Sequence, residues 1–212
     1  MLSLDGRDAR RVHTAHLACA DTPAHPLNQT QLSRFTEIAA AFPDIPASLS
    51  ASSGCYLGKA YAFDLTRPGL ALYGGTTPPD TVRLTPALTL EACILSVFPA
   101  RAGETVGYGA SHTLPADTML ATVALGYADG IPRSGGNALI GYLEGIACPV
   151  LGRISMDLIT IDVSKAQTAA KSGARVEFLG AHAKLEDQAA RAGTLGYELL
   201  TGLSPRVERV YP

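Results

Sequence analysis

The pattern of the chain changes once, at the proline-rich run from Thr76 to Asp80, and that change limits the folds open to it. Before it, short apolar stretches alternate with helical ones. Val12 to Ala20 reads as a strand, Asn28 to Phe42 as a helix and Ala47 to Ser50 as a second strand; a short helix begins near Cys55, and Thr66 to Tyr73 reads as a third strand. Strand, helix, strand, helix, strand is the rhythm of βα units on a parallel sheet, which must be covered on both faces. Asn28 is placed to cap the first helix with Gln31 three residues on. Leu32, Phe35, Ile38, Ala39 and Phe42 form its apolar face, and Pro43 and Pro46 end it. Residues 1–12 are polar and carry no periodicity.

Beyond the break the pattern turns to strands, expected at 88–97, 120–125, 138–143, 146–151, 158–163 and 175–179. Glu144-Gly145 makes a two-residue hairpin loop. In the fifth of these strands Ile159, Ile161 and Val163 share one face, and Leu158, Thr160 and Asp162 share the other. Two short helices follow, Lys184 to Ala192 and Leu195 to Leu203. The expected fold is α/β plus β, divided into residues 1–79 and 80–212.

A chain of 212 residues with 47% hydrophobic and 17% charged residues has the material for a packed core. A net charge of −2 gives no reason to expect nucleic acid, and no apolar run approaches a membrane span. Cys19, Cys55, Cys93 and Cys148 are scattered without paired spacing, which reads as reduced thiols in the cytoplasm.

Three phrases in the second part set a polar or reactive side chain beside glycine at strand ends. They are Val106-Gly107-Tyr108-Gly109, Gly126-Tyr127-Ala128-Asp129-Gly130 and Gly152-Arg153-Ile154-Ser155-Met156-Asp157. Any one alone is an ordinary hairpin turn; three in succession, two with tyrosine, point to a site. Tyr108 and Tyr127 are either half-buried sheet tyrosines or bases, and a phenol of pKa about 10 acts as a base only beside donors or positive charge. His16 and Arg67 are candidates to supply them. Arg67, extended before Pro68, meets either a scaffold carboxylate or a ligand acceptor, because a buried guanidinium is not left unpaired. Ser52-Ser53-Gly54 before a helix is either a plain cap or an anion site. His13, His16 and Cys19 stand three apart, and on a strand such neighbours face opposite ways, which argues against a shared metal ion.

Taken together, Thr66-Arg67-Pro68-Gly69-Leu70-Ala71-Leu72-Tyr73-Gly74, the three glycine phrases and Gly196-Tyr197-Glu198 resemble alanine racemase, from His16 to the C-terminus. The resemblance implies a fold-type III pyridoxal 5'-phosphate enzyme, with an N-terminal (β/α)8 barrel and a C-terminal β domain. This chain would carry the last three or so βα units of the barrel and the whole β domain. The implied reaction is interconversion of L- and D-alanine, supplying D-alanine for peptidoglycan, by a head-to-tail homodimer in the cytoplasm.

The resemblance also assigns roles. Tyr108 matches a catalytic base acting in the partner subunit's site, Arg67 the arginine facing the pyridine nitrogen, and His16 the histidine between them. Ser53, Gly69, Leu70 and Tyr197 match the phosphate-binding set, Met156 and Tyr127 the substrate contacts, and Arg133 and Asp157 the entryway and its support. The family's cofactor-bearing lysine, its second base, has no counterpart. The four lysines, Lys59, Lys165, Lys171 and Lys184, lie in no matching segment. The expectation is therefore a chain inactive alone; the alternative is a non-catalytic truncated fragment or dimerisation module.

Overall fold

A computed structural model describes residues 11–76 and 82–211 and divides into two units, Met1–Leu84 and Thr85–Pro212. Residues 77–81, which include most of the expected boundary at 76–80, lie outside the described residues, as do residues 1–10.

In the first unit, β1 (His13–Thr14) and β2 (Ala47–Ser48) pair in parallel around α1 (Pro26–Ala41). The expected strand Val12 to Ala20 stops at Thr14. Ala15 N–H still reaches Ser48 O at 3.2 Å, but beyond it the backbone bonds a side chain instead of a neighbouring strand: Gln31 Oε1 accepts from Ala18 N–H and Gln31 Nε2 donates to His16 O, both at 2.9 Å. Gln31 is thus a brace, not part of a capping box. The helix also begins earlier than expected. His25 caps it, its Nδ1 accepting from Leu27 N–H, and Pro26 fills the first position, where no N–H is needed. Asn28 is instead buried at 2%, donating to the carbonyls of Cys19 and Thr22. Phe35 packs with Leu17, Ala47 and Leu49, and meets Phe63 edge-on at 4.9 Å. Ile38 and Phe42, expected in that face, are exposed.

The third expected strand, Thr66 to Tyr73, is reduced to one parallel bridge, Ala51 to Arg67, with Arg67 N–H reaching Ser50 O at 2.9 Å. Pro68 has no N–H to continue a ladder, and Leu70–Tyr73 coils into a 3-10 turn.

The second unit holds β3 (Leu90–Ala100), β4 (Thr105–Val106), β5 (His112–Thr113), β6 (Thr118–Val123), β7 (Ile140–Leu143), β8 (Ile146–Pro149), β9 (Ile159–Asp162) and β10 (Arg175–Leu179), then α2 (Leu185–Ala192) and α3 (Gly196–Gly202). Six strands form an antiparallel sheet in the order β8-β7-β10-β3-β6-β9, while β4 and β5 make a separate hairpin. The edge strands meet where Val150 bridges Ile161 and Leu151 N–H reaches Thr160 O at 2.9 Å, so the sheet is nearly closed. Ile94, Val123, Val150, Ile159, Ile161, Val163, Val176 and Phe178 fill its core. The alternation expected at 158–163 is there: Ile159, Ile161 and Val163 are buried, and Leu158 is exposed. Glu144 and Gly145 form the expected hairpin loop, both with positive φ as the strand twist requires. Among the described residues no helix is long and apolar enough to cross a membrane.

The strand β10 anchors the loop after it through Glu177. Burial works against the carboxylate's charge. The N–H of Ala183, the ring of His182 and the N–H of His182 outweigh burial and hold the pKa below its ordinary value. A carboxyl held low by the fold adds stability above the unfolded carboxylate range and loses it as pH falls through its lower folded value. Glu177→Gln is therefore expected to cost about 1 kcal/mol near neutral pH and to flatten the acid limb of the unit's pH–stability curve, as urea melts at stepped pH would show.

Candidate active site

In the first unit the sequence sets serine at every second residue, Ser48, Ser50 and Ser52, from the end of β2 to the helical backbone of Ser52 that leads into the turn at 53–56. Period two puts Ser48 and Ser50 on one face. All three are buried, at 1%, 0% and 1%, and all are satisfied. Ser48 Oγ donates to Leu65 O at 2.9 Å and Ser50 Oγ to Tyr61 O at 2.8 Å. Ser52 Oγ accepts the N–H groups of Gly69 and Ala71, at 3.0 and 3.1 Å. The hydroxyl that organises the turn at residues 69–71 is thus Ser52; Ser53, expected in the phosphate-binding set, sits half-buried one residue on, at the start of the 3-10 turn Ser53–Tyr56. Between the two engaged amides, Leu70 N–H has no acceptor among the described residues.

Arg67 meets no carboxylate among the described residues. Nη1 donates to Ser48 O at 2.9 Å and to Ser48 Oγ, and Nη2 donates to Ala15 O at 2.8 Å. These acceptors lie at the carboxyl ends of β1 and β2, where ligands of parallel α/β sheets collect. A guanidinium has five N–H donors. Three are used here, and the rest find no acceptor among the described residues. His16 follows Ala15 directly and is exposed, with no hydrogen bond from its ring to Arg67.

In the second unit the three glycine phrases meet, and the segment 152–157 is what both others touch. Gly107 packs against it so closely that a Cβ there would stand 2.6 Å from Arg153 N, and one on Gly152 would stand 2.6 Å from Val106 O. Asn137 Oδ1 accepts Gly152 N–H at 2.6 Å and Ser111 Oγ accepts Arg153 N–H at 3.1 Å, which fixes the Tyr108 turn to this segment. Further along, Tyr127 N–H reaches Ser155 O and Ala128 N–H reaches Met156 O, both at 3.0 Å, so Tyr127 and Met156 stand on adjoining turns. Tyr108, Tyr127 and Met156 are exposed, at 69%, 41% and 54%. None is a half-buried sheet residue. Arg133, Asp157 and Tyr197 are exposed as well, the last on α3. Among the described residues no three His, Cys, Asp or Glu groups converge as a metal site.

Sequence reasoning named Ser52 only within Ser52-Ser53-Gly54, and missed Asn137 and Ser111. The period-two serines were a readable signal for the first; nothing in local spacing marks the other two.

The residues match known proteins in two blocks. Residues 87–211 match the family described as alanine racemase, C-terminal domain, and residues 9–77 the one described as alanine racemase, N-terminal domain. An alanine racemase of Rhodospirillum rubrum is 47% identical over 198 residues, covering 92% of this chain and 53% of that protein. One of Rhizobium meliloti is 45% identical over 210 residues, covering 93% and 55%. Among solved structures, the Bartonella henselae alanine racemase with covalently bound pyridoxal phosphate superposes with a TM-score of 0.87 at 35% identity, over 95% of this chain and 56% of that one. The biosynthetic alanine racemase of Pseudomonas aeruginosa gives 0.86 at 36% identity. The chain spans about half the length of the curated relatives it matches. By these matches over most of its residues, the chain belongs to the alanine racemase family.

Proposed function

We propose that this chain is the C-terminal portion of a pyridoxal-phosphate-dependent alanine racemase, with residues 1–79 as the last βα units of its barrel and 80–212 as its β domain. The observation that carries the reading is the donor set of the first unit. Arg67 offers N–H groups and no acceptor, which suits an unprotonated pyridine nitrogen, and Leu70 N–H beside Ser52 suits a phosphate oxygen. When bound, pyridoxal phosphate supplies the electron sink that makes the substrate's Cα–H acidic.

The chain's own residues do the rest. Arg67, held by two backbone carbonyls, keeps its remaining donors aimed and leaves the ring nitrogen without a proton, which moderates the sink. Tyr108 exchanges a proton at Cα on one face; its exposure lets it reach a neighbouring copy's cofactor in a head-to-tail homodimer. His16 connects Arg67 to the tyrosine, Met156 and Tyr127 orient alanine, Ser53, Gly69, Leu70 and Tyr197 line the phosphate, and Arg133 and Asp157 support the entryway. The product would serve peptidoglycan synthesis in the cytoplasm. A second reading, a non-catalytic fragment or dimerisation module, draws on one observation: all four lysines are exposed.

Titration calorimetry of the chain with pyridoxal phosphate and with pyridoxal separates the readings. Binding is expected for the phosphorylated compound alone, and Ser52→Ala should weaken it by about tenfold, because the amides of Gly69 and Ala71 lose the hydroxyl that sets their turn. Equal affinity for both compounds, or no binding of either, would favour the fragment reading.

A further inference from the structure

The Tyr127 and Met156 turns are tied to each other by backbone bonds, and each also carries a carboxylate toward the same place. Asp129 closes the first turn: its Oδ2 accepts Gly126 N–H at 2.8 Å and its carbonyl accepts Ser204 N–H at 3.0 Å. Asp157 ends the second. Two like charges on adjoining turns push them apart unless a cation lies between. The chain supplies one from its C-terminal tail: Arg206 Nη2 donates to Asp157 Oδ1 at 2.8 Å, and Nε lies 3.5 Å from Asp129 Oδ1. The Asp129 side chain is only 14% exposed, so that end of the link is shielded from water. A planar guanidinium reaches two carboxylates through separate nitrogens, whereas an ammonium is a single point.

We propose that Arg206 is a positioning residue, a tail-borne clasp that neutralises Asp129 and Asp157 together and thereby holds the Tyr127 and Met156 turns in register. Its value for catalysis rests on reading Tyr127 and Met156 as substrate contacts; its value for geometry does not. A single pair on the surface adds little stability. The clasp acts on the local opening of two turns, not on the unit's global fold.

Amide hydrogen exchange on the intact 212-residue chain tests it without cofactor or turnover. In Arg206→Gln the amides of Tyr127 and Ala128 are expected to exchange about tenfold faster, the scale of one lost charge-assisted tie, while Ala121 and Ile161 in the sheet keep their rates. Asp157→Asn in the same chain should restore most of the protection, because the repulsion is gone, and Arg206→Lys should fall between. Unchanged rates at Tyr127 and Ala128 in Arg206→Gln would overturn the proposal. So would equal acceleration of the sheet amides with no recovery in the double variant. Failure here leaves the pyridoxal phosphate titration untouched, so the two readings fall separately.

Discussion

Incubated with pyridoxal phosphate and L-alanine, the 212-residue chain is expected to form no D-alanine beyond what free cofactor produces. Racemisation needs a proton removed from one face of Cα and returned to the other, so it takes two positioned bases. Tyr108 is the candidate for one. The other would have to be a lysine also able to hold the cofactor, and Lys59, Lys165, Lys171 and Lys184 are all exposed. A lysine nucleophile depends on a desolvated pocket or a neighbouring cation, which an open surface does not provide. Each positioned base is worth about 10²–10⁴ in rate, so lacking one suffices to hide turnover. Mixing the chain with a lysine-bearing N-terminal racemase half is the complementary arm. There turnover should appear, and Tyr108→Phe should lower kcat by about 10²–10⁴-fold, since the ring stays and only the ionisable hydroxyl leaves. Clear turnover by the chain alone, abolished in Tyr108→Phe, would show that the second base lies within these residues after all.

How much of this was legible beforehand differs between the two units, for a physical reason. Strands in the second unit face core on one side, so Leu158 to Val163 writes its burial in its alternation, and the Glu144-Gly145 loop fixes its own register. In the first unit the extended stretches are short, and what ends them is a distant side chain in one case and a proline within the stretch in the other. Gln31 ends the first strand, and Pro68 converts the third into a turn. The site inherited the same difference. The glycine phrases were readable because close backbone approach leaves glycine as its mark. Ser52, named only within Ser52-Ser53-Gly54, finds its partners 17 and 19 residues on, at Gly69 and Ala71, a separation that local spacing does not bridge. Two of the three acceptors of Arg67 are the carbonyls of Ala15 and Ser48, which no side-chain pattern announces. Arg206 lies 49 residues from Asp157, too far for spacing to relate them.

Gly126→Ala is expected to be among the most damaging single changes in the second unit, and to act by space alone. Its φ of −155° is ordinary extended backbone, so alanine has no conformational objection to it. An added Cβ, however, would stand 2.2 Å from Met156 O, 2.4 Å from Met156 C and 2.5 Å from Asp157 N. All three are backbone atoms, and none can rotate aside. The turns must separate, which breaks the bonds from Tyr127 N–H to Ser155 O and from Ala128 N–H to Met156 O. Overpacking together with two lost backbone bonds amounts to about 3 kcal/mol or more, read as a lower urea midpoint. Gly103→Ala is the matched control. That glycine has a φ of +87° with nothing within 4 Å of the built Cβ, so only the left-handed conformation is penalised, by about 1–2 kcal/mol. If the glycine at 126 is there for close approach, its alanine variant loses more stability than the control and also the amide protection at Tyr127 and Ala128. Equal losses at the two positions would mean that the turns bearing Tyr127 and Met156 have room to move, and the tight juxtaposition on which the substrate contacts depend would have to be abandoned.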